Sequence, residues 1–204
     1  NPRAASIDTP LHAFIPKAHV DHMHPDAVIA IAASRDSERL TKEVFGGEIG
    51  WLPWQRPGFD LGLKLEAMAK GQPALKGIVL AGLGLFTWGD TVRECYQQTL
   101  RVIQKAADHL ASKGKAEPFG GAVTKPLDEA GKAACLAELV PGLRGRLSKS
   151  VHKVMHFTDA PEVMEFVGAA RAQELAGVGT SCPDHFLRTK IWPLFLPFDP
   201  SAEK

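Results

Sequence analysis

The first half of the chain alternates between short apolar blocks and polar breaks that contain proline or glycine. Residues 19–24 predict a strand that Pro25 ends, and the apolar block 26–33 predicts a buried helix that starts on that proline. Residues 48–54 predict a second strand. Because strands and helices follow one another in this way, the pattern predicts a layered α/β fold.

A glycine-spaced corner lies between two further predicted strands. The Ile-Val-Leu run within residues 77–80 indicates a buried strand, and residues 85–88 indicate a second one. The corner itself is Gly82-Leu83-Gly84. These features predict that the two strands are close neighbours in one sheet.

Two helices are predicted from capping residues and apolar spacing. Asp60 is predicted to cap a helix that runs to residue 69. Asp90 or Thr91 is predicted to cap a long helix that ends near residue 112, since apolar residues recur there at helical spacing.

The composition changes to Gly, Lys and Pro over residues 113–126, which is typical of a linker or a long loop. We therefore divide the chain into a core at residues 1–112 and a C-terminal α/β extension at residues 113–204. The pattern within the extension predicts two helices and two strands. The predicted helices are 127–139 and 160–176, and the predicted strands are 151–157 and 187–196.

Composition places the 204 residues in the globular class, with 45% hydrophobic and 23% charged residues. The net charge of +1 offers no basic field for a phosphate backbone, so we expect no nucleic-acid partner. The longest uncharged run, 77–89, is too short to cross a bilayer, so we expect no membrane partner either. Three widely spaced cysteines are typical of a reducing compartment, which predicts a cytoplasmic protein.

Histidine is concentrated near the start of the chain. Four of the eight histidines lie in the first 24 residues: His12, His19, His22 and His24. Residues two apart on a strand share a face, so the imidazoles of His22 and His24 can meet one Zn²⁺ ion. A third ligand would have to come from elsewhere. The alternative is that the two histidines are chance residues on an exposed strand.

Four segments together resemble the class II, zinc-dependent sugar-phosphate aldolases. Residues 6–12 resemble the Ser-x-Glu-x-x-x-His segment of that family, with Asp8 in the position of the glutamate. Residues 19–28 resemble its His-x-His zinc strand, and residues 84–91 resemble a later segment. Residues 182–190 are similar to the bifunctional rhamnulose-1-phosphate aldolase/short-chain alcohol dehydrogenases.

The resemblance implies a layered α/β/α fold with a mixed central sheet, incomplete at its N-terminus. It implies retro-aldol cleavage of a ketose 1-phosphate, rhamnulose 1-phosphate, to dihydroxyacetone phosphate and lactaldehyde. Asp8 would be the catalytic carboxylate, His22 and His24 the zinc ligands, and Ser6 a contact to the substrate phosphate. A sugar phosphate as small-molecule partner and a homo-oligomer are implied in the same way.

The chain also departs from the family pattern. Leu83 stands where the family has its third zinc histidine, and leucine has no lone pair. A set of His22, His24 and Asp8 could compensate, as could a contribution from His12 or His19, although a regular strand would turn His19 to the opposite face from His22. Family members continue into a dehydrogenase region, so NAD would belong only to that missing part. We expect an apparent fragment with impaired catalysis; the alternative is a degenerate, non-catalytic domain whose parent protein acts mainly as a dehydrogenase.

A polar run near the C-terminus has two open interpretations. It consists of Asp184, His185, Arg188 and Lys190 and precedes an apolar segment. It could contact the substrate or a second subunit, or it could be a salt-bridged loop.

Overall fold

A computed structural model describes residues 3–182 and 189–197. Its elements in chain order are α1 (Thr9–Phe14), β1 (His19–Met23), α2 (Asp26–Ala32), α3 (Ser37–Phe45), β2 (Ile49–Leu52), α4 (Phe59–Gly71), β3 (Gly77–Leu80), β4 (Gly84–Gly89), α5 (Val92–Lys113), α6 (Glu129–Leu147), α7 (Pro161–Val167) and α8 (Ala172–Val178). None of these helices is long and apolar enough to span a membrane.

The chain divides into two compact units. The first comprises the described residues of Asn1–Gly114 and Thr180–Ile191, and the second those of Lys115–Gly179 and Trp192–Lys204. The first unit therefore consists of two segments that are far apart in sequence. Each unit is described separately below.

The first unit is built on a four-stranded mixed sheet in the order β1-β4-β3-β2. β4 pairs antiparallel with both β1 and β3, whereas β2 and β3 are parallel. A parallel pair needs a crossover, and α4 supplies it between β2 and β3. The predicted mixed central sheet is thus confirmed.

Helices cover both faces of this sheet. On one face, Leu11 of α1 and Leu61 and Leu65 of α4 pack with Phe86 and Trp88 of β4. On the other face, residues of α2, α3 and α5 pack with Val79 and Leu85. Successive strand residues point to opposite faces, so β4 contributes to both cores. The α/β/α layering predicted from the resemblance is therefore confirmed for this unit.

The corner between β3 and β4 depends on one glycine. Gly82 has a φ of +64°, a conformation that residues with a Cβ rarely adopt, and its N–H donates to the carbonyl of Ala32. The turn sets Gly84 opposite Leu80 and brings Leu83 into the core at 4% exposure. The predicted corner is confirmed.

Most predicted elements of the first unit lie within a few residues of the observed ones, with two corrections. Helix α3 was not predicted, although its Ser37, Thr41 and Phe45 form a buried stripe at helical spacing. Helix α4 begins at Phe59 after Gly58, so Asp60 lies in its first turn and is not its cap. The aspartate still interacts favourably with the positive end of the helix dipole.

The second unit consists of helices and irregular backbone. The prediction of strands at residues 151–157 and 187–196 was wrong for the described residues, because 151–157 and 189–196 contain no strand. An isolated bridge between Ala122 and Ala169 is the β-type pairing seen in the described part of this unit. An apolar run therefore does not form a β-strand when no neighbouring strand offers its N–H and C=O groups for hydrogen bonding.

The helices predicted in the second unit form at the predicted places, but their lengths differ from the prediction. The predicted helix 127–139 is α6, which runs through Pro141 to Leu147 and buries no residue. Pro141 removes one helical hydrogen bond, but an exposed helix can leave the freed carbonyl to water. The predicted helix 160–176 is two helices, α7 and α8, separated at Gly168–Arg171.

The longest helix, α5, begins with a complete capping box. Thr91 Oγ1 accepts a hydrogen bond from the Glu94 N–H at 3.2 Å, and Glu94 Oε2 accepts one from the Thr91 N–H at 3.0 Å. Of the two predicted caps, Thr91 is the one observed. This reciprocal pair satisfies two backbone donors at the helix start.

We expect Thr91→Ala to lower the free energy of unfolding by about 1 kcal/mol, because the Glu94 N–H loses its acceptor. Thr91→Ser keeps the hydroxyl and should remain close to the wild type. Urea unfolding of the three proteins measures the difference. Equal stability of Thr91→Ala and wild type would show that water replaces the cap without loss.

Candidate functional site

His22 lies near the end of β1, opposite Phe86 of β4. Its ring stacks on the Phe86 ring with centroids 4.0 Å apart and planes 6° apart. Its Nδ1 lies 3.0 Å from the carbonyl oxygen of Leu85. A carbonyl only accepts, so Nδ1 of His22 carries the proton and donates it, which leaves a lone pair on Nε2 when the ring is neutral.

His24 follows the strand immediately, since β1 ends at Met23 and not at residue 24. Its Nε2 lies 3.0 Å from the Nε2 of His22, and the two ring centroids are 4.7 Å apart. The predicted meeting of the two imidazoles is thus observed. The close fit requires Gly84, because a Cβ there would lie 2.6 Å from Cδ2 of His24.

Cys182 completes this arrangement from the far end of the sequence. Its Sγ lies 2.9 Å from Nδ1 of His24 and 3.4 Å from the carbonyl oxygen of Leu83. The residue is 2% exposed. Sequence analysis did not identify Cys182 as a site residue. The one available signal was that it opens the segment 182–190 that resembles the aldolase family.

Asp8 and Ser6 lie in the turn that leads into α1. Ser6 Oγ donates to Asp8 Oδ2 at 3.2 Å and accepts from the Asp8 N–H at 3.2 Å. The Asp8 carboxylate lies near enough to His22 to raise the pKa of that imidazole by charge attraction. The structure therefore brings Asp8 towards the histidine pair, while Ser6 contacts Asp8.

The other two N-terminal histidines are placed differently. The His12 ring centroid lies 6.4 Å from that of His22, and His12 Nδ1 lies 3.2 Å from the Val20 carbonyl oxygen. His19 is three residues before His22 on β1, so strand alternation turns it to the opposite face of the sheet. His12 is thus near the pair and His19 is not.

Leu83 is part of the apolar core and not of a polar site. It is 4% exposed and packs in the cluster that contains Leu80 and Phe86. Its side chain offers no donor to a metal. Its backbone nevertheless contributes, because its carbonyl oxygen contacts Cys182.

Of the polar run predicted near the C-terminus, the structure describes one residue. Asp184, His185 and Arg188 lie outside the described residues. Lys190 is described and exposed.

The donor set fits two ligand positions of a zinc ion. Two imidazole nitrogens that bind one tetrahedral Zn²⁺ at about 2.0–2.1 Å lie roughly 3.3 Å apart. The observed 3.0 Å separation of the Nε2 atoms is within a few tenths of an ångström of that value. Over residues 3–182 and 189–197, no group of three His, Cys, Asp or Glu side chains is arranged to hold a metal.

Burial lowers the pKa of His22 to about 4, because the protein removes water from the charged form. The hydrogen bond to the Leu85 carbonyl opposes this shift, as does the negative charge of Asp8. The neighbouring imidazoles of His24 and His12 lower the pKa further. His22 is therefore neutral at pH 7, the form in which an imidazole binds a metal.

Cys95 differs from Cys182 in its surroundings. It is buried under β4 at 2% exposure, and desolvation together with the nearby Asp21 raises its pKa to about 11. A thiol with such a pKa is a poor nucleophile at pH 7. Packing is therefore the role of Cys95.

The lowered pKa of His22 predicts an acid-dependent loss of stability. Unfolded His22 takes up a proton below a pH of about 6.5, whereas the folded residue does so only near pH 4. We expect the free energy of unfolding to decrease as the pH is lowered from the first of these values to the second. For His22→Gln we expect a smaller decrease. Urea unfolding at pH 7.0, 5.5 and 4.5 with a metal chelator measures it. The same pH slope in both proteins would contradict the prediction.

Two family models match the chain. The class II aldolase and adducin N-terminal domain matches residues 1–110, and the second domain of class II aldolases matches residues 134–204. A Bacillus subtilis (strain 168) protein, the uncharacterized oxidoreductase YuxG, is 35% identical over 199 residues. The match covers 97% of this chain and 29% of that relative, so the chain spans less than a third of its length.

Solved structures of class II aldolase proteins are also similar. The N-terminal class II aldolase domain of a conserved Thermoplasma acidophilum protein is 32% identical, with a TM-score of 0.47 over 52% of this chain and 48% of that one. A sugar-phosphate aldolase from Thermotoga maritima is 17% identical, with a TM-score of 0.44 over 53% and 55% of the two chains. The family model covers more than half of the 204 residues, and the chain therefore belongs to the class II aldolase and adducin N-terminal domain family.

Proposed function

We propose that this chain is the aldolase part of a longer protein and binds a zinc ion through His22 and His24. Its reaction would be the retro-aldol cleavage of a ketose 1-phosphate, with rhamnulose 1-phosphate as the substrate that the family resemblance implies. The observation that supports this most directly is the approach of the two Nε2 atoms to 3.0 Å with both Nδ1 atoms engaged elsewhere. Class II aldolases generally depend on zinc, which agrees with the proposal.

In this proposal the metal, when bound, supplies Lewis-acid polarisation of the ketose oxygens. His22 and His24 hold it with neutral imidazoles. During cleavage a substrate hydroxyl loses its proton, the carbon–carbon bond breaks, and its electron pair passes to the former carbonyl. A proton then returns to the carbon of the dihydroxyacetone phosphate fragment.

Asp8 is the residue that we assign to these proton movements. Its carboxylate lies near His22 and accepts a hydrogen bond from the Ser6 hydroxyl. A carboxylate in such a position can act as a general acid or base. Ser6 would turn its hydroxyl from Asp8 to the substrate phosphate if it binds that group.

A second candidate function has its own supporting observation. Leu83 is buried in the core where the family resemblance expects a histidine, and a domain that lost this ligand could keep the fold without the chemistry. The parent protein would then act mainly through its dehydrogenase, and NAD would bind there. The name of the YuxG relative, an oxidoreductase of greater length, agrees with a further catalytic part.

Two further properties belong to the same proposal. We propose a homo-oligomer, since class II aldolases commonly assemble in this way. We also propose a cytoplasmic location, because the chain has three widely spaced cysteines, Cys95, Cys135 and Cys182, which is typical of reducing compartments.

We expect close to one zinc per chain after dialysis, measured by elemental analysis. His22→Ala should lose the metal, because one imidazole cannot retain it. His152→Ala is the matched control, since His152 is exposed and remote in sequence from the pair. Leu83→His should hold zinc at least as well as the wild type.

The pattern across these variants separates the two candidate functions. Zinc only in Leu83→His would support the non-catalytic alternative, because it would mean that a single substitution removed the site. Absence of zinc from both the wild type and Leu83→His would contradict a metal site at His22 and His24. Zinc in His22→Ala equal to the wild type would show that the metal binds elsewhere.

We expect the 204-residue chain to cleave rhamnulose 1-phosphate more slowly than about 1 s⁻¹ and Leu83→His to cleave it faster. Asp8→Asn should lower the rate while the zinc content stays unchanged, because the amide cannot take up the proton. A coupled assay for dihydroxyacetone phosphate measures all three. A wild-type rate of about 1 s⁻¹ or more would contradict the proposed cost of Leu83, and a loss of zinc in Asp8→Asn would make Asp8 a ligand.

A further inference from the structure

The contact between Cys182 and His24 has a specific consequence for the histidine pair. His24 Nδ1 faces the sulfur at 2.9 Å, and His24 Nε2 faces His22 Nε2 at 3.0 Å. A neutral imidazole carries one proton, which sits on either Nδ1 or Nε2. What Cys182 can donate or accept therefore influences which nitrogen of His24 keeps its lone pair.

Two proton arrangements satisfy these contacts. In the first, His24 Nε2–H donates to the lone pair of His22 Nε2, and the Cys182 thiol donates to His24 Nδ1. In the second, His24 Nδ1–H donates to the sulfur, and the thiol hydrogen turns to the Leu83 carbonyl oxygen 3.4 Å away. In both arrangements His22 Nδ1–H donates to Leu85.

The second arrangement leaves lone pairs on both Nε2 atoms, which is what two metal ligands require. No proton is gained or lost between the two, because the proton on His24 moves from one nitrogen to the other. A thiol serves both arrangements, since it can donate and accept. A carbonyl or carboxylate in place of the thiol could only accept a hydrogen bond and would therefore allow only the second arrangement. An apolar side chain would allow neither arrangement.

We infer that Cys182 is a positioning residue: its thiol holds the His24 ring in place and accommodates either proton position, so that Nε2 of His24 can be presented to a divalent cation beside His22. This inference rests on the proposed metal site. Cys182 acts through His24 and is not itself a ligand, because its sulfur lies on the Nδ1 side of the ring. Its burial at 2% exposure keeps water from competing for that nitrogen.

The test measures zinc affinity of the full 204-residue chain by competition with a chelating dye. We expect Cys182→Ala to weaken zinc binding about tenfold or more, the range typical of residues that orient a metal-bound histidine. Cys182→Ser keeps a donor and acceptor and should restore binding close to wild type. Cys135→Ser, which removes a thiol from α6, should change nothing.

A second readout reports on His24 itself. With ¹⁵N-labelled histidine, we expect zinc-loaded wild type to carry the proton of His24 on Nδ1. With Co²⁺ in place of zinc, we expect no sulfur-to-cobalt charge-transfer absorption. Such absorption would overturn the inference, because it would make Cys182 a direct ligand.

Cys182→Val fills the buried space without hydrogen bonding and replaces Cys182→Ala if thermal unfolding shows that the alanine variant does not fold. Wild-type zinc affinity in the folded apolar variant would overturn the inference. If the wild type itself binds no zinc, the proposed function fails, and the metal-free spectra decide the inference alone. It then stands only if the His24 nitrogen signals change in the apolar variant and recover in Cys182→Ser.

Discussion

The antiparallel pairing of β1 with β4 is the constraint on which the candidate site depends. It sets His22 opposite Phe86 and supplies the Leu85 carbonyl that fixes the His22 ring. The same strand β4 places apolar residues in both cores of the unit. A shift of this pairing by one residue would turn His22 to the other face, away from Asp8 and His12. The register is therefore held by burial on both faces of the sheet, and the histidine pair gains its fixed position from it.

Much of the first unit follows from its sequence. The fully buried run of β3 and the glycine corner at Gly82 are local signals, because apolar β-branched residues and a positive φ have few alternatives. The meeting of His22 and His24 was predicted from spacing along a strand, and it is observed although β1 ends at Met23, one residue before His24. By contrast, α3 was not predicted, although its buried stripe has helical spacing, and that stripe packs against β2, α2 and α5.

The rest of the site could not be predicted because its contacts are distant in sequence. Cys182 meets a histidine 158 positions earlier, and no periodicity or spacing rule connects residues so far apart. The core position of Leu83 could be predicted from its apolar neighbours, but the use of its carbonyl by Cys182 could not. Strands predicted at residues 151–157 and 187–196 do not form over the described residues 151–157 and 189–196, since β structure requires a partner that local sequence does not specify.

The chain leaves the first unit at Gly114 and returns to it at Thr180. Because Cys182 belongs to the returning segment, the polypeptide must be synthesised to beyond residue 182 before His24 can meet its sulfur partner. The sheet and its helices are encoded before that point and can form earlier, as local contacts form before distant ones. The surroundings of the histidine pair are thus completed only after the whole sheet has been synthesised. Cleavage anywhere between the two segments would leave the sheet continuous in sequence but separate this thiol from the chain that carries the imidazoles.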